Sequence, residues 1–319
     1  ALDSLPNAER SAQLSPDERE FAAEMLTDIY LHPSVLRRET FRDQMSAANA
    51  LLWTRLTSRD LRLPPLASLE FQHLCGILVA GDIQRPGTLV HDLLLEPELT
   101  KAIFHTLNGA RACWSMGGDI PPRGSFLFWG LDEKGRGIAL YPDPECRTLF
   151  APRRPDMRLE LESRSLKNAL LSRRLLPTLY LSFAAAALAR GLSCAGGVFQ
   201  YAYLPRMAEG TAEALRRCGD DARADRISAR CPLGAGFHAL RAADSENAAM
   251  DHAAGPADIL RHGGISGQDW ERFGNIRTRD AFSCSLAFQY EDIIPEKERL
   301  PGWLEALRHS SSLMLSHQP

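Results

Sequence analysis

The stretch of sequence that decides the fold is residues 175–204, LLPTLYLSFAAAALARGLSCAGGVFQYAYL. It carries no charge before Arg190, and a helix that is apolar on every side belongs inside a protein. The uncharged run is shorter than the roughly 20 apolar residues that a membrane-spanning helix needs. We therefore predict a buried helix that starts near Pro177 and ends at Gly191. A Ser-Cys-Ala-Gly-Gly loop and a strand, Val198–Tyr203, are predicted to follow it.

The sequence on either side of this stretch predicts an α+β fold. Apolar residues recur at helical spacing through the first third of the chain, whereas Ser125–Leu131 and Arg136–Tyr141 are β-rich runs joined by a hairpin signal, Asp-Glu-Lys-Gly. The first run is apolar on both faces, which favours a central strand. We expect a helical N-terminal region, residues 1–116, continuous with an α+β region, residues 117–319. In the second region an antiparallel or mixed sheet packs around the buried central helix.

Two segments near the C-terminus carry further predictions. Arg279–Tyr290 is the clearest predicted strand, because its side chains separate into two faces: Phe282, Cys284, Leu286, Phe288 and Tyr290 on one, and Ser283, Ser285, Ala287 and Gln289 on the other. Residues 244–274 are rich in Gly, Asp, His and Ala and are predicted to have no regular structure. A connection of that length favours a functional role.

Composition indicates a globular protein and a reducing compartment. The chain has 319 residues, 45% of them hydrophobic and 24% charged, with a formal net charge of −3, which favours neither a nucleic-acid nor a membrane partner. Its 7 cysteines form no C-x-x-C pair, so reduced thiols and a cytoplasmic location are expected. The N-terminus is polar and does not resemble a signal peptide. Arginine is strongly preferred over lysine, which is typical of a GC-rich bacterial genome. The lysines are Lys101, Lys134, Lys167 and Lys297.

Cys194 is the candidate nucleophile. It lies between the end of the buried helix and a Gly-Gly turn, and a nucleophilic thiol also needs a base within hydrogen-bond reach. His238 is the best-placed histidine, and Asp244 is a residue that can orient it. The alternative is that Cys194 is a small apolar residue under the turn, since free cysteines are commonly buried.

The candidate substrate-binding residues are two arginines and two glutamines. Arg153 and Arg154 lie on a proline-flanked loop, where forked guanidinium groups can bind a phosphate or carboxylate. The alternative is a solvated basic face. Gln200 and Gln289 occupy matching positions in two Phe-Gln-Tyr sequences, and the two glutamines are expected to share the polar face of neighbouring strands. The alternative is coincidence, because strands favour aromatic residues.

Several kinds of site are not supported by the sequence. His252 and His262 are ten positions apart on an irregular segment, a spacing that predicts no metal site. The Gly-Gly pairs complete neither a dinucleotide-binding nor a phosphate-loop motif. No G-x-S-x-G elbow is present, so an α/β-hydrolase is not indicated.

One stretch resembles the flavin-dependent nitroreductases. That family has an α+β fold whose buried, Ala-rich helix ends in a Gly-Leu-Gly-x-Cys-x-x-Gly-Gly-Phe-like turn. Residues 184–187 are all alanine, and GLSCAGGVF, residues 191–199, is similar in order to that turn. The resemblance covers about a tenth of the chain, and no matching arginine cluster for the flavin phosphate occurs in the N-terminal third. It implies FMN near this loop, commonly across a homodimer interface.

Three functions follow as expectations. The first is a soluble bacterial enzyme that acts on a small anionic metabolite, with its reaction and cofactor unassigned. The second is an FMN-dependent oxidoreductase with a nitroreductase-like core. The third is a non-catalytic protein that binds a partner through its N-terminal helices.

Overall fold

The computed structural model of the chain describes residues 16–57, 60–61, 63–117, 122–152, 154–197, 199–229, 233–235, 241–242, 252–253, 255–261, 263–277, 290, 294–303 and 306. The chain divides into two compact units. One is the uninterrupted segment Leu69–Gly236, and the other combines Ala1–Ser68 with Phe237–Pro319. The boundary predicted from the sequence, between a helical region of residues 1–116 and an α+β region of residues 117–319, stays a prediction.

The helices in chain order have the following bounds. They are α1 (Pro16–Met25), continued by a π-helical turn (Leu26–Tyr30), α2 (Pro33–Leu36), α3 (Phe41–Arg55), α4 (Phe71–Asp82), α5 (Leu89–Leu95), α6 (Pro97–Leu107), α7 (Ser163–Leu171), α8 (Leu179–Phe183), continued by a second π-helical turn (Ala184–Leu188), α9 (Gln200–Arg217), α10 (Asp221–Ser228), α11 (Pro256–Arg261), α12 (Gly267–Gly274) and a 3-10 turn (Glu296–Glu298).

The strands form small sheets. They are β1 (Phe128–Leu131), β2 (Gly137–Ala139), β3 (Tyr141–Pro142), β4 (Thr148–Ala151), β5 (Arg154–Glu160), β6 (Leu175–Pro177), β7 (Cys194–Gly196), β8 (Leu233–Ala235), β9 (Arg241–Ala242) and β10 (His252–Ala253). The sheet orders are β2-β1-β6 and β3-β4-β5, both antiparallel, together with the parallel pair β7-β8 and the antiparallel pair β9-β10. The mixed helix and sheet architecture confirms the predicted α+β class.

The predicted buried helix is confirmed. Every side chain from Tyr180 to Leu188 is buried, in the core of the unit Leu69–Gly236. The helix begins slightly later than predicted, because Pro177 pairs with β1 and Thr178 caps the first turn through its hydroxyl. Its helical residues end at Leu188, three residues before the predicted end at Gly191, where the backbone turns to a φ of 72°.

The second half of this helix is π-helical, which the sequence did not predict. The amide of Ala189 donates to the carbonyl of Ala184, five residues earlier, at 2.9 Å. This turn is wider than an α-helical one, and such turns frequently occur at functional sites. It ends at Leu188, two residues before the charged residue Arg190.

The predicted hairpin is also confirmed. Strands β1 and β2 pair in antiparallel fashion with Trp129 opposite Ala139. As expected from its two apolar faces, β1 is the central strand of its sheet, and Phe128 is fully buried. The preceding residues Phe126 and Leu127 are fully buried as well.

The predicted strand Val198–Tyr203 is wrong. From Gln200 onward these residues open α9, which continues through Pro205. Leu204, Met207 and Thr211 are buried at helical spacing, and this burial outweighs the cost of a proline inside the helix.

The segment predicted to be irregular contains helices. Residues 244–274 include α11 and α12, and Ser266 and Asp269 begin α12 with reciprocal side-chain-to-backbone hydrogen bonds. The predicted strand Arg279–Tyr290 lies outside the described residues except for Tyr290.

The unit that combines Ala1–Ser68 with Phe237–Pro319 has a small core of its own. Ile29, Val35 and Ala48 are buried together there. The two chain segments of this unit are joined by a hydrogen bond of 2.7 Å from the amide of Ile265 to the carbonyl of Leu56.

Candidate functional site

Cys194, the predicted nucleophile, opens a short strand rather than lying in a loop. Strand β7 runs parallel to β8, and the Cys194 thiol donates to the carbonyl of Leu192 at 3.7 Å. Burial raises the pKa of this thiol, which lowers the thiolate fraction at neutral pH. The proposed base His238 and its orienting residue Asp244 lie outside the described residues, so the catalytic pair stays a prediction.

Gln200 lies beside Cys194, but on a helix. Its side chain is only 2% exposed. Its Nε2 donates to the carbonyl of Cys194 at 2.9 Å, and its Oε1 occupies the space that a Cβ on Gly196 would need. The amide therefore holds the β7 backbone against the start of α9. Gln289, its predicted partner, lies outside the described residues, so substrate binding by the two glutamines stays a prediction.

Arg154 is exposed and already has a partner. Its Nε and Nη2 donate to the two carboxylate oxygens of Asp156 at 3.1 and 3.0 Å. This fork-to-fork hydrogen bonding raises the pKa of Arg154 and lowers the pKa of Asp156. Arg153 lies outside the described residues, so anion binding by these two arginines stays a prediction.

Arginine side chains converge elsewhere in the unit Leu69–Gly236, around a cavity of about 380 Å³. We call this space the arginine cavity. It lies where α4, the π-helical turn after α8, α10 and the start of α5 come together. Its lining comprises Asp82, Arg85, Gly87, Thr88, Leu89, Leu188, Ala189, Arg190, Arg223, Arg226 and Ile227.

Arg190 is fixed in the wall of the arginine cavity by a two-pronged ion pair. Its Nη1 and Nη2 donate to the two oxygens of Asp82 at 2.8 and 2.7 Å. Asp82 is buried at the end of α4. Nη1 also donates to the carbonyl of Ala185, within the π-helical turn, at 2.7 Å. The ion pair therefore ties the end of α4 to that turn.

Arg223 is fixed by two carboxylates. Its Nη1 donates to Asp92 at 2.6 Å, and its Nε donates to Asp220. Asp92 also accepts from the amide of Gly87 at 3.2 Å and lies 2.8 Å from the Nδ1 of His91. Burial by itself raises the pKa of Asp92, but the hydrogen bonds from His91, Arg223 and Gly87 outweigh it and lower the pKa overall. Asp92 is therefore a carboxylate at neutral pH.

Arg85 and Arg226 differ from the two fixed arginines. Within the part of the chain that the structure describes, their guanidinium groups make no hydrogen bond and no ion pair. Both residues are exposed and line the cavity. The charge of Arg226 acts through space on Asp220, which is already bonded to Arg223. The cavity therefore presents two guanidinium forks that are available to a ligand.

The sequence analysis missed this site because its residues are far apart along the chain. A signal was nevertheless present. Asp82 ends an apolar helix, and Arg190 follows another apolar run. Since a charge at the border of a buried segment needs a partner, opposite charges in two such positions predict an ion pair between the segments.

No protein-family model, curated protein sequence or solved structure matches this chain. The resemblance to nitroreductases therefore rests on residues 184–199 alone. The candidate site is interpreted from its own geometry and chemistry.

Metal sites and membrane-spanning helices are absent from the described residues. The described residues contain no group of three or more His, Cys, Asp or Glu side chains that could hold a metal ion. Within the same residues, the helices are too short or too polar to cross a membrane.

Proposed function

We propose that the protein binds a small anionic metabolite in the arginine cavity. The observation that carries the proposal is the contrast between its arginines. Buried aspartates fix Arg190 and Arg223, whereas Arg85 and Arg226 line the same cavity and their guanidinium groups are bonded to no carboxylate of the described residues. A guanidinium group binds carboxylates and phosphates through two parallel hydrogen bonds.

The charge and size of the arginine cavity support an anion of metabolite size. Four arginines line it, and the carboxylates of Asp82, Asp92 and Asp220 pair with two of them, so the positive charge that remains is that of Arg85 and Arg226. Positive charge concentrated in a cleft raises the local concentration of anions and the rate at which they bind. Its volume of about 380 Å³ lies within the range of small-molecule pockets.

The proposal covers the binding step of an enzyme that acts on an anionic metabolite. The described lining contains no thiol, no imidazole and no unpaired carboxylate. An acid or base for the reaction would therefore come from outside this lining, and the reaction type stays open.

The test is calorimetric titration of the whole protein with small carboxylates and phosphate esters. We expect at least one of them to bind. Arg85→Ala and Arg226→Ala should each weaken that binding by about 10-fold or more, because each removes a charge-assisted contact. Arg164→Ala, which removes an exposed arginine on α7 outside the cavity, is the matched control.

Two results would contradict the proposal. One is that no anion binds to the folded protein. The other is that Arg164→Ala weakens binding as much as the cavity variants do, because the effect would then be that of net charge alone.

A further inference from the structure

We infer that the ligand of the arginine cavity is a short aliphatic dicarboxylate, and not a nucleotide, a flavin or a sugar phosphate. This inference rests on the proposed function and adds the chemical class of the ligand. It follows from three properties of the lining: its apolar part, its hydrogen-bond acceptors and its available donors.

The apolar part of the lining is aliphatic. It is formed by Leu89, Leu188, Ala189 and Ile227, and no aromatic residue of the described chain lines the cavity. Nucleobases and flavin rings gain much of their binding energy by stacking on aromatic side chains, and this wall offers no such surface. A short hydrocarbon chain gains from contact with aliphatic groups of this kind without needing a particular ring geometry.

The side-chain acceptors of the described lining already take part in hydrogen bonds. Both oxygens of Asp82 accept from Arg190. The hydroxyl of Thr88 donates to the carbonyl of Arg85 at 3.0 Å. The same hydroxyl accepts a hydrogen bond from the amide of His91 at 3.3 Å. The hydroxyl groups of a sugar or polyol would find only side-chain acceptors that are already engaged in the described lining, which favours a ligand without hydroxyl groups.

The available donors suit two carboxylates. Arg85 and Arg226 each present a fork that a carboxylate can accept in a two-pronged geometry, and together they match a ligand charge of two. A phosphate group has the same charge as two carboxylates. A polyol phosphate, however, also carries hydroxyl groups, for which the lining offers only acceptors that are already engaged. A dicarboxylate with an aliphatic body satisfies all three properties.

The test is titration calorimetry on the whole protein with glutarate, butyrate, glycerol phosphate and FMN as probes. Glutarate and glycerol phosphate are similar in size and charge, but glycerol phosphate carries its charge on one phosphate group and has hydroxyl groups that glutarate lacks. We expect glutarate to bind about 10-fold more tightly than glycerol phosphate, because the hydroxyl groups lack acceptors. We expect butyrate, with one carboxylate, to bind more weakly than glutarate.

Arginine variants identify where the probes bind. Arg226→Ala should lower the affinity for glutarate to about the level of butyrate, because one of the two forks is lost. Arg164→Ala should leave both affinities unchanged. Since Arg226 is exposed, this variant is expected to fold, and its circular dichroism spectrum checks that it does.

The outcomes separate this inference from the proposed function. If glycerol phosphate or FMN binds as tightly as glutarate and that binding is lost in Arg226→Ala, the choice of ligand class is overturned and anion binding by the cavity stands. If glutarate binds to Arg226→Ala and to Arg85→Ala as tightly as it binds to the unaltered protein, the cavity is not its site and the inference is overturned. If none of the probes and no other small anion binds, both the inference and the proposed function are overturned.

Discussion

The residues Asp82 and Arg190 form one ion pair but lie in different surroundings. The Arg190 side chain is 35% exposed, whereas that of Asp82 is only 5% exposed. Removing the arginine therefore leaves a buried carboxylate without its counter-charge. Removing the charge of the aspartate leaves a guanidinium group that can turn toward water.

We predict that Arg190→Ala destabilises the protein more than Asp82→Asn does. The loss for Arg190→Ala should be about 3 kcal/mol, because an unpaired buried charge is costly. Urea unfolding of both variants measures the difference. Arg217→Ala, which breaks an exposed pair with Glu213, is the control and should cost under about 0.5 kcal/mol. Equal losses for the two ion-pair variants would show that the burial of Asp82 does not govern the stability of the pair.

At the scale of elements, helix α9 packs closely against the end of α6. Gly210 lies against Leu107, and a Cβ at this glycine would collide with the Cδ2 of Leu107 and lie 3.0 Å from its Cγ. Leu107 is itself fully buried and has little room to move. The absence of a side chain at Gly210 is therefore what allows the two helices to approach.

We predict opposite effects for alanine at two helical glycines. Gly210→Ala should destabilise by about 1–3 kcal/mol, because it overpacks the contact between α6 and α9. Gly81→Ala is the matched control in α4. Nothing lies within 4 Å of its added Cβ, so the variant should stabilise by about 0.5 kcal/mol through helix propensity. Thermal unfolding followed by circular dichroism compares the two, and a stable Gly210→Ala variant would contradict the close packing.

Elements with an unambiguous hydrophobic pattern could be predicted from the sequence. The uncharged run before Arg190 indicated a buried helix, although its first residues, Leu175–Pro177, form β6, and the two apolar faces of β1 indicated a central strand. The start of α9 could not be predicted in the same way. Phe199 to Tyr203 alternates like a strand, and the helical period becomes visible only when the pattern is followed past Pro205.

The candidate site was harder to predict than the elements. A run of basic residues drew attention to Arg153 and Arg154, but Arg154 is bonded to Asp156 at the surface. The arginines that line the cavity come from separate segments, and tertiary packing alone brings Arg85 and Arg226 to one space. What local sequence cannot show is which arginines find an acidic partner in the fold.

At the scale of the whole molecule, the two compact units differ in how the chain builds them. The unit Leu69–Gly236 is continuous, and its large hydrophobic core runs from Val79 to Ile227. The arginine cavity and the buried helix both belong to this unit. A continuous segment with its own core is able, in principle, to fold alone.

We predict that a fragment spanning Leu69–Gly236 folds cooperatively without the rest of the chain. Its buried aromatic residues should give a near-ultraviolet circular dichroism signal, and that signal should be lost in one sigmoidal transition in urea. The same fragment bearing Leu181→Asp is the control, since a charge at this fully buried position should abolish the transition. A fragment without a near-ultraviolet signal would show that its core depends on the other unit.

The π-helical turn gives the alanine run Ala184–Ala187 an unusual tolerance of a one-residue deletion. Its hydrogen bond from Ala189 to Ala184 spans one residue more than an α-helical hydrogen bond does. Deleting one alanine would let the wide turn relax to an α-helical one and would leave Arg190 close to its present direction toward Asp82. Inserting one alanine would instead rotate Arg190 by about 100°. The run therefore holds one residue that the wall of the arginine cavity does not need for its register.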